Sequence, residues 1–262
     1  DAEHLEKVQW AIRPAVLAEH AATEDAALPV ALGSITEPEF IKASRALKNN
    51  RAAGLDEVPA EFWKSVLLPG SEAARYMTHF CNSCWEQKKV PDDWHEARVT
   101  MIFKKDDPAN CENYRPISLL CIAYKLFANI LLDRLRAAGA EKRLWRTQFG
   151  FRTGCGTGDA LFIARREIER ANRQKNGKAV LLALDWAKAF DSVSPVALAA
   201  ALTRFGITSE LVQMISAIYT YTDRRFVVRD AGSTSTWHPQ AFGISQGCPL
   251  SPFLFVILMT LL

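Results

Sequence analysis

Apolar and polar residues alternate along this chain with two different periods, and each period predicts a different kind of element. From Thr36 onward, Phe40, Ile41, Ser44 and Leu47 return to one face at helical spacing, and Thr36-Glu-Pro-Glu39 has the hydroxyl-then-acid spacing of a capping box. That helix is expected to stop near Asn49-Asn50. Further helices are expected over Ala60 to Leu67, Ser71 to Lys88, Ala123 to Ala138 and Glu210 to Tyr219. In the third of these, Leu126, Ile130, Leu131 and Leu135 turn inward. Ser194 with Pro195 behind it, and Gly206 further on, mark the start and stop of another helix. Val99 to Phe103 is β-branched and apolar, Asn113 to Leu120 is a second extended piece, and Arg225 to Arg229 with Ser235 to Trp237 resemble two short strands around Asp230-Ala-Gly232. Ala179 to Leu184 is apolar without alternation, the pattern of a central strand covered on both faces. Residues 1–35 begin with an Ala- and Glu-rich stretch of helical spacing, expected as an amino-terminal helical extension.

Composition adds class and compartment. With 262 residues, of which 49% are hydrophobic, the chain can bury a substantial core. Lys and Arg total 32 against 29 acidic residues, a net charge of +3, so charge alone does not single out a polyanionic partner. Six cysteines lie scattered without the dense spacing of a small secreted scaffold, which points to free thiols in a reducing, intracellular setting and a soluble protein. The longest apolar run, Phe253 to Leu262, is about half of the ~20 residues that a membrane span needs, so it is expected as a buried core helix. Cys81-Asn-Ser-Cys84 with His79 nearby has no second ligand pair at a fitting distance, which argues against zinc.

Three segments carry candidate chemistry. Val180-Leu-Leu-Ala-Leu-Asp185-Trp-Ala-Lys-Ala-Phe190-Asp191 delivers a carboxylate from a strand end into a tight turn. Gly243-Ile-Ser-Gln246-Gly247-Cys-Pro249-Leu-Ser-Pro252 is a glycine-flanked loop that opens an apolar helix, with both prolines suited to its first turn. Gln148 to Asp159 is the most glycine-dense stretch, and such a loop lets backbone amides approach a phosphate closely.

Taken in order, the segments Asn49 to Glu61, Trp94 to Lys105, Asn113 to Leu120, Gln148 to Asp159, Leu184 to Val193 and Gly243 to Phe255 resemble the reverse transcriptase domain of non-LTR (LINE-like) retrotransposons. The resemblance covers roughly Phe40 to Leu262. It implies an α/β (α+β) right-hand polymerase fold: fingers over 36–178, an incomplete palm over 179–262, and no thumb. It also implies RNA-directed DNA synthesis with an RNA template, a DNA primer, deoxynucleoside triphosphates and two Mg²⁺ ions, with Mn²⁺ as a substitute.

Residue by residue, the resemblance makes Asp185 the catalytic metal ligand, joined by the Trp186 carbonyl. Asp191 supports the turn. Phe190 becomes the steric gate beneath the sugar, where a 2′-hydroxyl would clash or lie unpaired. Lys104, Lys105 and Arg115 meet the triphosphate, while Gln246 and Gly247 contact the sugar and the templating pair. Arg152, Arg165 and Arg166, with Arg170, Arg173 and Lys175 near them, would follow the template-primer backbone, although a solvated helical face explains the same pattern. The family's aromatic-X-Asp-Asp hairpin has no counterpart between Asp185 and Leu262. The chain alone is therefore expected to be inactive. The alternatives are a non-catalytic nucleic-acid-binding remnant of a decayed retroelement, or a product that retains no binding and tends to aggregate.

Overall fold

A computed structural model of the chain describes residues 27–220, 222–230 and 232–260. The amino-terminal helical stretch expected from the sequence lies mostly in 1–26, outside the described residues. Eight α-helices and five strands form a mixed α/β structure among the described residues. They are, in order, α1 (Glu37–Arg45), α2 (Ala60–Val66), α3 (Glu72–Gln87), β1 (Glu96–Phe103), β2 (Tyr114–Leu119), α4 (Ile122–Ala137), α5 (Thr157–Asn172), α6 (Pro195–Arg204), α7 (Ser209–Ile218), β3 (Arg225–Asp230), β4 (Ser233–Thr234), β5 (His238–Pro239) and α8 (Ser251–Thr260).

The sheet order is β2-β1-β3-β4, with β5 also on β3. β1 and β2 form an antiparallel hairpin in which Phe103 faces Tyr114 and Arg98 faces Leu119. β1 also runs parallel to β3, pairing Glu96 with Arg225 and Val99 with Val228. One sheet thus joins segments from both sides of residue 178. One apolar core does the same, holding Phe40, Leu126, Phe127, Leu202, Met214 and Phe253 in a single cluster. Each such side chain contributes about 1.5–3 kcal/mol by leaving water.

Local signals explain most helix ends. The capping box at α1 is present: Thr36 Oγ1 accepts from the Glu39 amide at 3.5 Å, and the Thr36 amide donates to Glu39 Oε2 at 2.9 Å. α3 runs from a Ser71 cap to Lys88, whose left-handed backbone ends it. α6 starts at Pro195 behind Ser194, and Gly206 follows its end at φ +86°. α8 is apolar on all sides and packs Phe253, Leu254, Val256 and Ile257 into the core. Among the described residues, no helix is long and apolar enough to cross a membrane.

Arg134 of α4 ties the chain entering the fold to its core. Its side chain is 5% exposed. Its guanidinium donates to the carbonyls of Ala31, Gly33 and Ser34 at 3.1, 2.8 and 3.0 Å, and to Glu39 Oε1 and Oε2 at 2.7 and 3.0 Å. The five N–H groups of an arginine fork are all matched. Asn82 adds a reciprocal pair with Ile35, accepting from its amide at 2.6 Å and donating to its carbonyl at 2.8 Å.

Three expectations need correction. Residues 179–184 are not a covered central strand: they form no ladder, and Val180 and Leu184 are 96% and 74% exposed. A strand needs a hydrogen-bonded neighbour and covering layers, and none of the described residues supplies either to this segment. α1 ends at Arg45 rather than near Asn49, because the Ala46 amide already closes the last turn and Asn50 takes φ +56°. Ser235 to Trp237 is not a strand. Two-residue ladders at Ser233–Thr234 and His238–Pro239 flank it, and strands so short carry no readable alternation. The buried apolar helix expected from Phe253 onward is present as α8, and the last two positions of that expectation, 261 and 262, lie outside the described residues.

Candidate active site

The two motif loops meet through their backbones. At the Asp185 turn, Lys188 takes φ +51°, and its carbonyl accepts from the Ser192 amide at 2.9 Å and the Ser192 hydroxyl at 3.0 Å. The Gly243 amide donates to the Val193 carbonyl at 2.7 Å, and the Ile244 amide donates to the Phe190 carbonyl at 2.9 Å. Gly243 sits so close that a Cβ there would lie 2.9 Å from the Asp191 Cα, and its φ is +85°. Only glycine fits both demands.

β2 completes the frame. The Ser118 amide donates to the Gln246 carbonyl at 2.8 Å. Gly247 takes φ +147°, and a Cβ on it would lie 2.1 Å from the Ser118 carbonyl oxygen. A loop that leads into a helix is thus pressed flat against a strand edge.

Between these pieces lies an open cleft of about 1010 Å³. Seven of the residues given a metal-binding or nucleotide-binding role from the sequence line it: Lys104, Arg115, Asp185, Trp186, Phe190, Gln246 and Gly247. They come from the β1–β2 hairpin, the Asp185 turn and the loop before α8. Phe190 is held by aromatic neighbours. It stacks on Phe255 with centroids 4.9 Å apart and planes 16° apart, and it meets Phe151 edge-on at 6.0 Å. Asp191 turns to the other loop, accepting from Gln246 Nε2 at 3.4 Å on each of its oxygens. Near the hairpin tip, Lys104 Nζ donates to the Glu112 carbonyl at 3.4 Å, and Tyr114 donates its hydroxyl to Pro108.

Other expected site residues lie apart from this cleft. Lys105 does not line it and stands 3.9 Å from Asp106. Arg165 and Arg166 lie on α5, which buries no residue, and both pair with Glu169 at 3.0 Å. Arg170 pairs with Glu167 at 3.6 Å. Arg152 donates to the Trp145 carbonyl at 3.2 Å. Such exposed pairs are each worth only about 0.2–1 kcal/mol and leave the arginines free to exchange partners.

The cleft also holds residues not singled out from the sequence, notably Tyr114, Phe151 and Lys188. Phe151 stood within a glycine-rich stretch, and its φ of +58°, rare for an aromatic, was not legible there. Lys188 lay three residues beyond Asp185 in the same motif, which was the available signal for it.

Among the described residues, no three metal-ligating side chains converge. Asp185 is exposed in the cleft, with the Trp186 carbonyl next in sequence. This donor set suits a hard cation that draws its other ligands from water and phosphate, and it does not suit a protein cage. Cys81 and Cys84 face the core from α3, where burial pushes the Cys81 thiol far above the usual range and raises that of Cys84 too.

The comparisons with known proteins agree on one relationship. A family model described as "Reverse transcriptase (RNA-dependent DNA polymerase)" matches residues 102–262. The chain is 29% identical over 227 residues to "Probable RNA-directed DNA polymerase from transposon BS" of Drosophila melanogaster, covering 84% of this chain and 24% of that protein. It is 34% identical over 168 residues to "Retrovirus-related Pol polyprotein from type-1 retrotransposable element R2" of Popillia japonica, covering 63% of this chain and 23% of that protein. It is 28% identical over 234 residues to "RNA-directed DNA polymerase from mobile element jockey" of Drosophila melanogaster, covering 88% of this chain and 24% of that protein. The chain thus spans about a quarter of the length of these relatives, at 24%, 23% and 24%.

Proposed function

Because the chain belongs to the reverse transcriptase (RNA-dependent DNA polymerase) family, as a domain of the non-LTR retrotransposon type, we propose that its cleft receives a deoxynucleoside triphosphate for RNA-directed DNA synthesis. On this reading, residues 36–178 are the fingers-like part and 179–262 a partial palm of a right-hand polymerase. The observation that carries it is the meeting of Lys104, Arg115, Asp185, Phe190, Gln246 and Gly247 around one cleft.

Each group has a task there. Arg115 grips phosphate oxygens with a planar fork and Lys104 adds a point charge, with Lys105 a looser neighbour at the hairpin tip. Phe190, fixed by Phe255 and Phe151, presents a ring to the sugar and leaves no room or partner for a 2′-hydroxyl. Gln246 and Gly247 contact the sugar and the templating pair from a loop anchored on β2. Asp185 with the Trp186 carbonyl would hold Mg²⁺, or Mn²⁺ in its place. When bound, the cation supplies charge neutralisation at the reacting phosphate. Arg152, Arg165 and Arg166 track the backbone of an RNA template and DNA primer, exchanging their glutamate and carbonyl partners for phosphate.

The test is primer extension on an RNA template with a DNA primer, deoxynucleotides and Mg²⁺. In a polymerase of the relatives' length that contains this chain, Asp185→Asn is expected to lower incorporation by about a thousandfold, roughly 4 kcal/mol of barrier. Incorporation at the parent rate would overturn the assignment. The chain by itself is expected to bind an RNA–DNA hybrid with steep salt dependence but not to extend it.

A further inference from the structure

Arg224, at the residue before β3, is 4% exposed, yet among the described residues no carboxylate pairs with it. Its guanidinium donates to the Gly243 carbonyl at 2.6 Å and to the Ser245 hydroxyl at 3.2 Å. Its Cζ lies 5.5 Å from the centre of the Tyr219 ring. Burying a cation for two neutral acceptors and a ring face is a poor way to add stability, since an apolar side chain of similar length would fill the space without the desolvation cost. What the fork does supply is geometry, because planar, directed donors fix the backbone they bond.

The other end of the same loop is fixed by a second buried polar group. The Tyr124 hydroxyl of α4 donates to Cys248 Sγ at 3.0 Å, and the Tyr219 hydroxyl lies 3.2 Å from the same sulfur and 2.8 Å from Ser251 Oγ. Burial pushes both phenols well above the usual tyrosine range, so both keep their protons. Gln246 and Gly247 are the two loop residues between these anchors, and both line the cleft.

The geometry points to Arg224 as a positioning residue: its fork sets the course of the Gly243–Gly247 loop and so the reach of Gln246 and Gly247 into the cleft. The structural part stands on the contacts alone, and the functional part rests on the polymerase reading.

Amide hydrogen exchange on the whole chain tests the first part. The reporters are the Gly243, Ile244 and Cys248 amides, which donate to Val193, Phe190 and Ser245 carbonyls. Arg224→Lys keeps the charge and loses the fork. It is expected to speed exchange of these amides about tenfold while α7 and α8 exchange as in the parent. Ser245→Ala removes one acceptor and is expected to give a smaller increase, roughly threefold, confined to the loop. If Arg224→Lys fails to fold, Ser245→Ala decides. Unchanged loop exchange, or an equal rise across α7, α8 and the sheet, overturns the proposal and leaves Arg224 as packing.

Primer extension by an active polymerase containing the chain tests the second part. Arg224→Lys is expected to raise the deoxynucleotide KM about tenfold with kcat changed by less than about threefold. An active parent with unchanged KM in the variant overturns the functional role. A parent that extends no primer counts against the polymerase reading instead, and the exchange result still decides the loop.

Discussion

Replacing Gly247 with alanine separates two physical demands that fall on one residue. The backbone there sits at φ +147°, a region that side chains avoid at a cost of about 1–3 kcal/mol. The new Cβ would also lie 2.1 Å from the Ser118 carbonyl oxygen, so strand and loop must part by about 1 Å to reach ordinary contact. That movement stretches the 2.8 Å bond from the Ser118 amide to Gln246, worth about 0.5–1.5 kcal/mol net. Together these give an expected loss of about 2–4 kcal/mol. Urea unfolding followed by tryptophan fluorescence measures it as a lower midpoint at unchanged slope. Gly154→Ala is the control, because Gly154 has φ +72° but open space around its missing Cβ, and about 1–2 kcal/mol is expected there. If Gly247→Ala costs no more than the control, the docking of the loop on β2 is refuted.

Two further outcomes follow from other contacts. Burial raises the Glu39 carboxyl, but hydrogen bonds from Arg134 and Thr36 and the Arg134 charge outweigh it and bring it from 4.5 down to about 2. With the folded value below the unfolded one, its stabilisation is fully present above pH 4.5 and fades as pH falls toward 2. Glu39→Gln is therefore expected to cost roughly 2 kcal/mol at neutral pH, allowing for solvent screening, and progressively less in acid. Urea midpoints of parent and variant at pH 7, 4 and 3 check the sign, and a constant gap would contradict it. Phe190→Val is expected to raise ribonucleotide over deoxynucleotide incorporation by about tenfold or more, read from competing primer extension. An unchanged ratio would remove Phe190 from sugar selection.

The helices were legible because their signals are local. A capping box at Thr36, a serine before Glu72 and the Ser194-Pro195 start act within one turn, and all three helices begin there. The membership of the cleft was legible for another reason: motifs in a given order restrict which residues can meet, and seven of them do. Contacts between residues far apart in sequence left no such trace. Arg134 bonds carbonyls about a hundred positions away, at separations of 103, 101 and 100, and nothing around it announces a hub. Arg224 likewise reads as one of two adjacent arginines where a strand starts. The stretch 179–184 was misread because an apolar run reports aversion to water, and only neighbouring elements decide whether that aversion is relieved.

The bond from Ser118 to Gln246 fastens the loop to the hairpin. Arg115 stands on the same strand three positions earlier, about 10 Å away at the usual rise of an extended chain. A basic fork at one mark and an amide beside the other stand at a set interval, like two marks on a ruler. On the polymerase reading proposed above, a nucleotide that met both would have to match that spacing.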